Sequence, residues 1–410
     1  MRFHALACSY DSTIAGHGRV DPATTATTAA LRRVVASGRH LILLSRRPLP
    51  ELLAELPSAL FVMVVADNGA VLYHPDTEQI EHLVPDPAAA DKTVGLRAAL
   101  TALGLSPRNL VAVGAAANDL AYLQHAEFSV AVANAAMALR EQVDHVTTGE
   151  AGAGVSELVT ALITGDLASL KPRRPRRILV GANLAGTQFT IPVHGTNLLL
   201  AGTSGSGKST LMTGLLERIN IQGYQFCALD PEGDHQHFPG ADHFGDRHHA
   251  PTPDDVLTAL AQPDRSVVVN LLAVGLQDLP VFLRRLLRRL QELRTHTGRP
   301  HWLLLEEANH FLPLPTQKNA FHVPRWLDGM ILAAVNPEHV APDATALADV
   351  VLAFGQPWSV LTRYADAIGE QPPTGPAESG HEAALDKGTA LLWERGPRLG
   401  CCRSGIRAAE

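Results

Sequence analysis

Short apolar segments alternate with longer amphipathic segments along the chain, and this alternation limits the possible folds more than any other feature. Segments such as HLILLS (40–45) and LVAVGA (110–115) are typical of strands buried on both faces, whereas KTVGLRAALTALG (92–104) is typical of a helix. Strands that alternate with helices favour a parallel sheet covered by helices on both faces. We therefore predict an α/β protein with two doubly wound domains, because the alternation is interrupted once.

The interruption is the segment TGDLASLKPRRPRR (164–177), whose prolines and arginines predict an exposed linker. A connector is the favoured interpretation, and binding of phosphate or nucleic acid is the alternative. The predicted organisation is a first domain over 1–163, the linker over 164–177 and a second domain over 178–410.

Charge is unevenly distributed among these three segments. The first domain has 11 Lys/Arg against 16 Asp/Glu, the linker 5 against 1, and the second domain 18 against 24. Neither domain therefore has the strongly basic composition of a nucleic-acid-binding domain. One segment, LPVFLRRLLRRLQELR (279–294), predicts a helix with an arginine-rich face, which we expect to be solvated or paired with acids rather than bound to DNA.

Cysteine usage and hydropathy indicate a cytoplasmic protein. The four cysteines (Cys8, Cys227, Cys401 and Cys402) form neither a CxxC pair nor a zinc-ligand spacing. The N-terminal segment MRFHALACSYDS becomes polar too early for a signal peptide, and no apolar run approaches the ~18 residues that span a bilayer. We expect no membrane association.

Residues 202–210 read GTSGSGKST and match every fixed position of G-x-x-x-x-G-K-[ST]. They follow an apolar strand pattern and precede a helical one, which is the context of a phosphate-binding loop. Glycines let backbone N–H groups surround an anion, and the helix that follows points its positive end at the phosphates. We predict an ATP and Mg²⁺ site in which Lys208 contacts the β- and γ-phosphates and Ser209 contacts Mg²⁺. The predicted nucleotide-binding residues are Gly202, Thr203, Ser204, Gly205, Ser206, Gly207, Lys208, Ser209 and Thr210.

A second strand pattern, HWLLLEEANHF (301–311), ends in two acids. We predict that Glu306 lies near the Mg²⁺ ion and that Glu307 is the general base for water attack. The alternative is a strand end with two solvated glutamates. The histidine-rich segment 235–249 has no ordered ligand spacing, so we expect a flexible loop there rather than a metal site.

These motifs occur in an order that resembles the HerA/FtsK branch of P-loop ATPases over about residues 178–400. The turn ALDPEGD supplies Asp230, Pro231, Gly233 and Asp234, and Ala308 and Asn309 follow the acidic strand. The resemblance implies a RecA-like P-loop domain, Asn336 as a polar sensor that ends a later strand, and self-association, for example as a hexameric ring. It also implies a DNA or protein partner and an arginine from a neighbouring subunit, for which Arg325 and Arg363 are candidates.

The first domain contains a different ordered set of motifs. The set comprises LACSYDSTIA (6–15), LILLSRR (41–47), ADNGA (66–70), Lys92 before a helix, and VAVGAAANDLAYL (111–123). In this order they resemble the Cof-like phosphatases of the haloacid dehalogenase superfamily, without a cap domain. The resemblance assigns the degenerate phosphatase site to Ser9, Asp11, Thr13, Ser45, Lys92, Asn118 and Asp119.

Two departures from this family fall on its chemistry. Ser9 replaces the aspartate that attacks phosphorus, and Ala115 replaces a carboxylate that holds Mg²⁺. A hydroxyl without an activating base is a poor nucleophile, and Mg²⁺ prefers anionic oxygen ligands. We therefore expect an inert scaffold or a phospho-ligand sensor fused to an ATPase. The alternatives are a nucleotide-dependent switch without motor activity and a phosphatase with unorthodox catalytic residues.

Overall fold

The computed structural model describes residues 1–16, 25–55, 58–84, 90–183, 185–315, 323–324, 327–373, 384–395 and, for the backbone alone, 402–408. These residues form two compact units. The first comprises Met1–Pro175 and Thr295–Gly298, and the second comprises Arg176–Arg294 and Arg299–Glu410.

The first unit contains an eight-stranded sheet. Its strands are β1 (Ala5–Ser9), β2 (His40–Leu44), β3 (Met63–Ala66), β4 (Val71–His74), β5 (Gln79–His82), β6 (Leu110–Gly114), β7 (Phe128–Ala131) and β8 (His145–Val146). The spatial order is β5-β4-β3-β2-β1-β6-β7-β8, and all pairs except β3–β4 and β4–β5 are parallel. The strand that follows β1 in sequence, β2, lies on one side of it, and β6 lies on the other, so the strand order reverses at β1. Open α/β sheets bind ligands at the carboxyl ends of the strands at such a topological switch point.

Among the residues that the structure describes, six α-helices accompany this sheet. They are α1 (Thr25–Ala36), α2 (Leu49–Glu55), α3 (Lys92–Ala102), α4 (Leu120–His125), α5 (Met137–Arg140) and α6 (Ala151–Gly165). The Asp91 side chain caps α3 by accepting hydrogen bonds from the Thr93 and Val94 N–H groups at 2.7 and 3.2 Å. This cap begins the helix at Lys92, at the carboxyl edge of the sheet.

Only the two ends of the predicted linker 164–177 belong to regular elements, α6 at the start and a strand that begins at Arg177. Residues 164 and 165 are the last two of α6, and the Leu167 side chain is buried in the apolar core of the first unit. The Arg173 side chain donates to the Arg140 carbonyl at 2.8 Å, and its N–H donates to the Asp144 carbonyl at 3.0 Å. Leu167 and these hydrogen bonds attach the segment to the first unit, whereas most residues from Ala168 to Arg177 are exposed, as the prolines and arginines predicted.

The second unit contains an eleven-stranded sheet. Its strands are β9 (Arg177–Asn183), β10 (Gln188–Pro192), β11 (Leu198–Ala201), β12 (Phe226–Asp230), β13 (Ala241–Phe244), β14 (Ser266–Asn270), β15 (Trp302–Leu305), β16 (Met330–Ala334), β17 (Val350–Phe354), β18 (Thr389–Glu394) and β19 (Cys402–Ala408). The order is β10-β9-β19-β18-β17-β11-β16-β15-β12-β14-β13, and the seven strands from β17 to β13 are parallel. The carboxyl ends of β11, β16, β15 and β12 therefore meet at one edge.

The described ranges after residue 176 contain six α-helices. They are α7 (Lys208–Ile221), α8 (Pro253–Leu260), α9 (Leu279–Thr297), α10 (Ala308–Phe311), α11 (Pro342–Thr345) and α12 (Pro357–Ile368). Among the described residues, no helix combines the length and apolar character needed to cross a membrane.

The continuous apolar sequence of the central strands explains why both sheets are covered on both faces. Central strands such as Leu198–Ala201 and Met330–Ala334 are buried at every position, as expected for parallel strands covered on both faces. The chain is thus an α/β protein built on Rossmann-like parallel sheets.

Candidate functional site

The loop between β11 and α7 depends on glycine for its shape. Gly202, Gly205 and Gly207 have φ values of 146°, 74° and 112°, in the left-handed region that other residues rarely adopt. A Cβ atom on Gly202 would lie 2.6 Å from the Phe354 carbonyl oxygen, and one on Gly207 would lie 2.9 Å from the Gly388 Cα. The backbone of this loop therefore has no room for side chains at these two positions.

Lys208 begins α7, and its side chain is almost completely buried. Its Nζ donates to the carbonyl oxygens of Gly202 at 2.8 Å and Thr203 at 3.1 Å. Burial lowers the pKa of Lys208, and the nearby carboxylates of Glu307 and Glu306 oppose that change. The structure thus brings together the lysine and the two acids that the sequence predicted to share a site.

Glu306 follows β15 and is a buried carboxyl group, 5% exposed. Within the described ranges, neither of its carboxylate oxygens accepts a hydrogen bond. The His235 Nε2 lies 3.3 Å from Glu306 Oε1, which is ion-pair distance but not hydrogen-bond alignment. Burial acts to lower the pKa of His235, but the Glu306 and Asp230 carboxylates outweigh it and raise that pKa above its ordinary value.

The position of His235 corrects the expectation of a flexible loop over 235–249. Asp230 Oδ1 accepts hydrogen bonds from the Gly233 N–H at 2.6 Å and the Glu232 N–H at 3.1 Å, and Oδ2 accepts from the His235 N–H at 2.8 Å. These bonds fold the turn so that His235 is directed inward, where its ring contacts the Thr213 hydroxyl at 3.4 Å. Part of the same segment then forms the edge strand β13, parallel to β14.

Glu307 has an unusual backbone conformation. Its φ and ψ of 45° and 57° are left-handed, which is uncommon for a residue other than glycine and often marks a functional site. Burial raises the pKa of Glu307, and the neighbouring Glu232 carboxylate adds to that increase. A carboxylate with a raised pKa is a better proton acceptor than an ordinary one.

The other residues predicted for this site lie near the same sheet edge. Ser209 is in the first turn of α7, and Asn336 lies two residues after the end of β16, where its carbonyl accepts from the His339 N–H at 3.0 Å. Arg363 forms an ion pair with Glu338 at 3.2 Å. Arg325 lies outside the described residues.

In the first unit, Ser9 ends β1 beside a buried ion pair. Lys92 Nζ lies 2.6 Å from Asp119 Oδ1 and donates to the Ser9 hydroxyl at 2.9 Å. The side chains of Lys92 and Asp119 are 4% and 0% exposed. Ser9 itself lies 3.4 Å from Asp119 Oδ1. Three of the predicted phosphatase-site residues therefore form one closed cluster.

Asp11 and Ser45 take part in a second cluster that the sequence did not predict. Arg47 forms an ion pair with Asp11 at 2.6 Å and with Glu55 at 2.9 Å. The Ser45 hydroxyl accepts from the Arg47 N–H at 3.1 Å.

The remaining two predicted residues behave differently from each other. Thr13 is fully buried, and its hydroxyl has no hydrogen-bond partner among the residues that the structure places. Asn118 is exposed and does not join the Ser9 cluster, because Asp119, and not Asn118, turns toward Lys92. Thr13, Ser45 and Asn118, which the resemblance places with Lys92 in the phosphatase site, form no hydrogen bond with the Ser9 cluster among the described residues, so anion binding by this set stays a prediction.

Comparison with known proteins identifies part of the first unit. Residues 86–159 match the family model of haloacid dehalogenase-like hydrolases. Residues 86–159 are a haloacid dehalogenase-like hydrolase domain. The match includes Lys92, Asn118 and Asp119, and it begins after Ser9, Asp11, Thr13 and Ser45.

Curated relatives of this hydrolase domain are phosphatases. The chain is 32% identical over 100 residues to phosphoglycolate phosphatase 1 of Saccharolobus solfataricus, a match covering 24% of the chain and 43% of that protein. It is 40% identical over 84 residues to the phosphoglycolate phosphatase of Methanothermobacter thermautotrophicus, covering 20% of the chain and 37% of that protein. The chain thus matches about two fifths of the length of these relatives.

Solved structures of haloacid dehalogenase-like proteins also align with the chain. One is a haloacid dehalogenase-like hydrolase from Bacteroides thetaiotaomicron, with 14% identity and a TM-score of 0.35 over 39% of this chain and 99% of that one. Another is the 3-deoxy-D-manno-octulosonate 8-phosphate phosphatase of Moraxella catarrhalis, with 16% identity and a TM-score of 0.32 over 40% of this chain and 86% of that one.

The donor set around Ser9 does not fit a Mg²⁺ ion. Ser9 is neutral, and Ala115 supplies no side-chain oxygen. Asp119 Oδ2 accepts from the Ala115 and Ala116 N–H groups at 2.9 and 3.0 Å, and its Oδ1 is paired with Lys92. The cation that balances the buried carboxylate is therefore the Lys92 ammonium.

Proposed function

We propose that the second unit binds ATP with Mg²⁺ and hydrolyses it. The observation that supports this most is the meeting of Lys208, on a glycine loop at the switch point of a parallel sheet, with Glu306 and Glu307 at the end of β15. Lysine in such a loop binds phosphate, and a strand-end carboxylate can activate water.

In this proposal the loop and the start of α7 hold the triphosphate. Backbone N–H groups of the loop and the positive end of the helix bind the phosphate oxygens, and the Lys208 ammonium exchanges its carbonyl partners for the β- and γ-phosphates. The Ser209 hydroxyl and the Glu306 carboxylate would hold Mg²⁺ together with the phosphates. The buried oxygens of Glu306 accept no hydrogen bond and have the His235 ring at ion-pair distance, so they fit a further cation, because a buried carboxylate without full compensation is costly. Bound Mg²⁺ would neutralise phosphate charge.

Glu307 is the proposed general base. Its carboxylate takes a proton from a water molecule as the water oxygen forms a bond to the γ-phosphorus. The bond from that phosphorus to the bridging oxygen breaks, and ADP and phosphate leave. The raised pKa of Glu307 and its left-handed backbone support this role.

We further propose what ATP hydrolysis by the second unit drives. The resemblance to HerA/FtsK motors favours self-association, with an arginine from a neighbouring subunit completing the site. Arg363 is half exposed and pairs with Glu338. In the alternative, the same site is a slow nucleotide-dependent switch. ATP turnover that rises when the chain self-associates, or when a polymer or protein partner is added, would favour the motor.

Replacement of Lys208 by alanine tests nucleotide binding. Loss of a charged phosphate contact should cost about 1.5–3 kcal/mol, which weakens ATP affinity about 10- to 100-fold. Isothermal titration of the full chain with Mg·ATP measures the change. The exposed Lys171→Ala variant is the control and should bind normally. Equal affinity in Lys208→Ala would show that ATP, if bound, binds elsewhere.

We further propose that the hydrolase-like domain has little or no Mg²⁺-dependent phosphatase activity and acts as a scaffold or binds a phospho-ligand. The missing nucleophile at Ser9 and the missing carboxylate at Ala115 support this. One observation favours the alternative of an unorthodox phosphatase: Lys92 Nζ is 2.9 Å from the Ser9 hydroxyl, within reach of a serine–lysine pair. The same Nζ also lies 2.6 Å from Asp119 Oδ1, so the lysine is paired with a buried carboxylate and does not serve the serine alone.

Phosphatase assays separate these two possibilities. The assayed protein is the full-length Lys208→Ala variant, in which ATP turnover is impaired. We expect it to release no phosphate from p-nitrophenyl phosphate or phosphoglycolate in the presence of Mg²⁺. Adding Ser9→Asp and Ala115→Asp together should restore some Mg²⁺-dependent release, because nucleophile and metal act as a unit. Release that is present without these two changes and lost in Ser9→Ala would establish the serine mechanism instead.

A further inference from the structure

One face of α9 lines a groove that has no part in the proposed nucleotide site. Val281, Arg285 and Arg288 follow each other at intervals of four and three residues, so they lie on one face of the helix. The groove is about 740 Å³ in volume and lies between the beginnings of α8 and α9. We call it the arginine groove, and its main lining residues are Pro251, Val274, Val281, Phe282, Arg285 and Arg288.

The two arginines on this face, Arg285 and Arg288, do not form ion pairs within the described part of the chain. Both residues are exposed. Their neighbour Arg289 is different, because it pairs with Asp254 at 2.6 Å and so links α8 to α9. The apolar side of α9, which includes Leu283 and Leu286, is buried in the core. Arg285 and Arg288 therefore remain available for an external partner.

Apolar side chains beside the arginines are also exposed. Val281 is 43% exposed, and Leu276, just before α9, is 58% exposed. Phe282 and Val274 contribute apolar surface to the groove itself. Clustered exposed apolar surface with a charged rim is typical of a protein interaction site.

Charge favours a peptide over a nucleic acid in this groove. Asp254 and Asp278 also line it, and the segment 178–410 has a net charge of −6. Arg289 pairs with Asp254, but a polyphosphate backbone along the groove would still be repelled by Asp278, whereas a peptide needs only to place its own carboxylates at the arginine end. Arginine binds carboxylates through two parallel hydrogen bonds.

We propose that the arginine groove docks a segment of a partner protein with one apolar anchor and one or two carboxylates. The apolar side chain packs against Val281 and Phe282, and the carboxylates pair with Arg285 and Arg288. This interaction surface is independent of ATP hydrolysis, so it can be tested whether or not the nucleotide proposal holds.

The probe is a displayed random-peptide library selected on the full chain, after depletion on the Arg285→Glu/Arg288→Glu variant. We expect the selected peptides to contain Asp or Glu next to Leu or Phe. The affinity of a labelled selected peptide should fall at least about 10-fold in Arg285→Ala/Arg288→Ala and in Val281→Asp. The peptide affinity should not change in the control variant Arg32→Glu/Arg33→Glu. This control alters two exposed arginines of α1 and has the same charge change as the depletion variant. Circular dichroism confirms that each variant is folded.

Three results would overturn the proposal. One is a selection that enriches no peptide, or only peptides without acidic residues. Another is equal affinity of a selected peptide for the chain and for Arg285→Ala/Arg288→Ala. The third is a DNA oligonucleotide that displaces the peptide and loses its own binding in that variant, which would assign the groove to nucleic acid.

Discussion

The Glu307→Gln variant should bind Mg·ATP normally but hydrolyse it at least about 100-fold more slowly than the unchanged chain. Glutamine keeps the size and hydrogen-bonding capacity of glutamate but cannot accept a proton, and loss of a general base typically costs 10²–10⁴-fold. Phosphate release from full-length protein under saturating ATP measures the effect. Titration with Mg·ATP shows whether binding is retained.

Glu217→Gln is the matched control for this variant, because Glu217 is an exposed glutamate on α7 and should not affect turnover. Normal hydrolysis by Glu307→Gln would contradict the assignment of the base. Glu232, whose carboxylate helps to raise the pKa of Glu307, would then be the next residue to change. No measurable turnover in the unchanged chain, with ATP bound, would favour the nucleotide-dependent switch.

Replacement of Lys92 by methionine should destabilise the first unit by about 3–5 kcal/mol, the cost of leaving one partner of a buried ion pair uncompensated. Lys92→Met leaves the fully buried Asp119 carboxylate with its two N–H donors but without a cation. Hydrogen exchange of the β1 and β6 amides in the full chain reports this loss, because both strands lie in the first unit.

The double variant Lys92→Met/Asp119→Asn should recover most of that stability. It removes both charges, and the asparagine oxygen can still accept from the Ala115 and Ala116 N–H groups. Lys171→Met, at an exposed lysine, should change little. If Lys92→Met costs less than about 1 kcal/mol, or if the double variant is as unstable as the single one, the ion pair does not hold this site together.

The sequence predicted the strands and the positions at their ends more successfully than the contacts between side chains. β2, β6, β11 and β15 lie where short apolar runs predicted them, because strands buried on both faces need nearly continuous apolar sequence. Topology then places their carboxyl ends together. That is why Lys208 and Glu306, almost 100 residues apart in sequence, could be predicted to meet.

The expectation that the structure corrects, at His235, depends on tertiary contacts. His235 was assigned to a flexible loop because its segment is polar and rich in glycine, yet Asp230 folds the turn and directs the ring toward Glu306. A usable signal was the aspartate at the strand end, whose side chain often accepts from N–H groups that follow it. Asn118 was assigned to the phosphatase site from its motif; its side chain is exposed, and its role there stays a prediction.

Arg47 shows a further limit of sequence reasoning. Its ion pairs with Asp11 and Glu55 join three elements, and nothing in the local sequence indicates which charges will meet. The buried Lys92–Asp119 pair had the same difficulty, since both residues were predicted for the phosphatase site but not as partners of each other. Pairing of charges within the protein, and not the sequence motif alone, determines whether these groups remain available to a ligand.

The most direct test of ATP hydrolysis by the second unit is a structure of the full chain with Mg²⁺ and a non-hydrolysable ATP analogue. We predict that the triphosphate lies against residues 202–210, that Lys208 leaves the Gly202 carbonyl for the phosphates, and that Glu307 faces the γ-phosphate. An analogue bound at another place in the chain, with Lys208 still on the Gly202 carbonyl, would contradict the proposal.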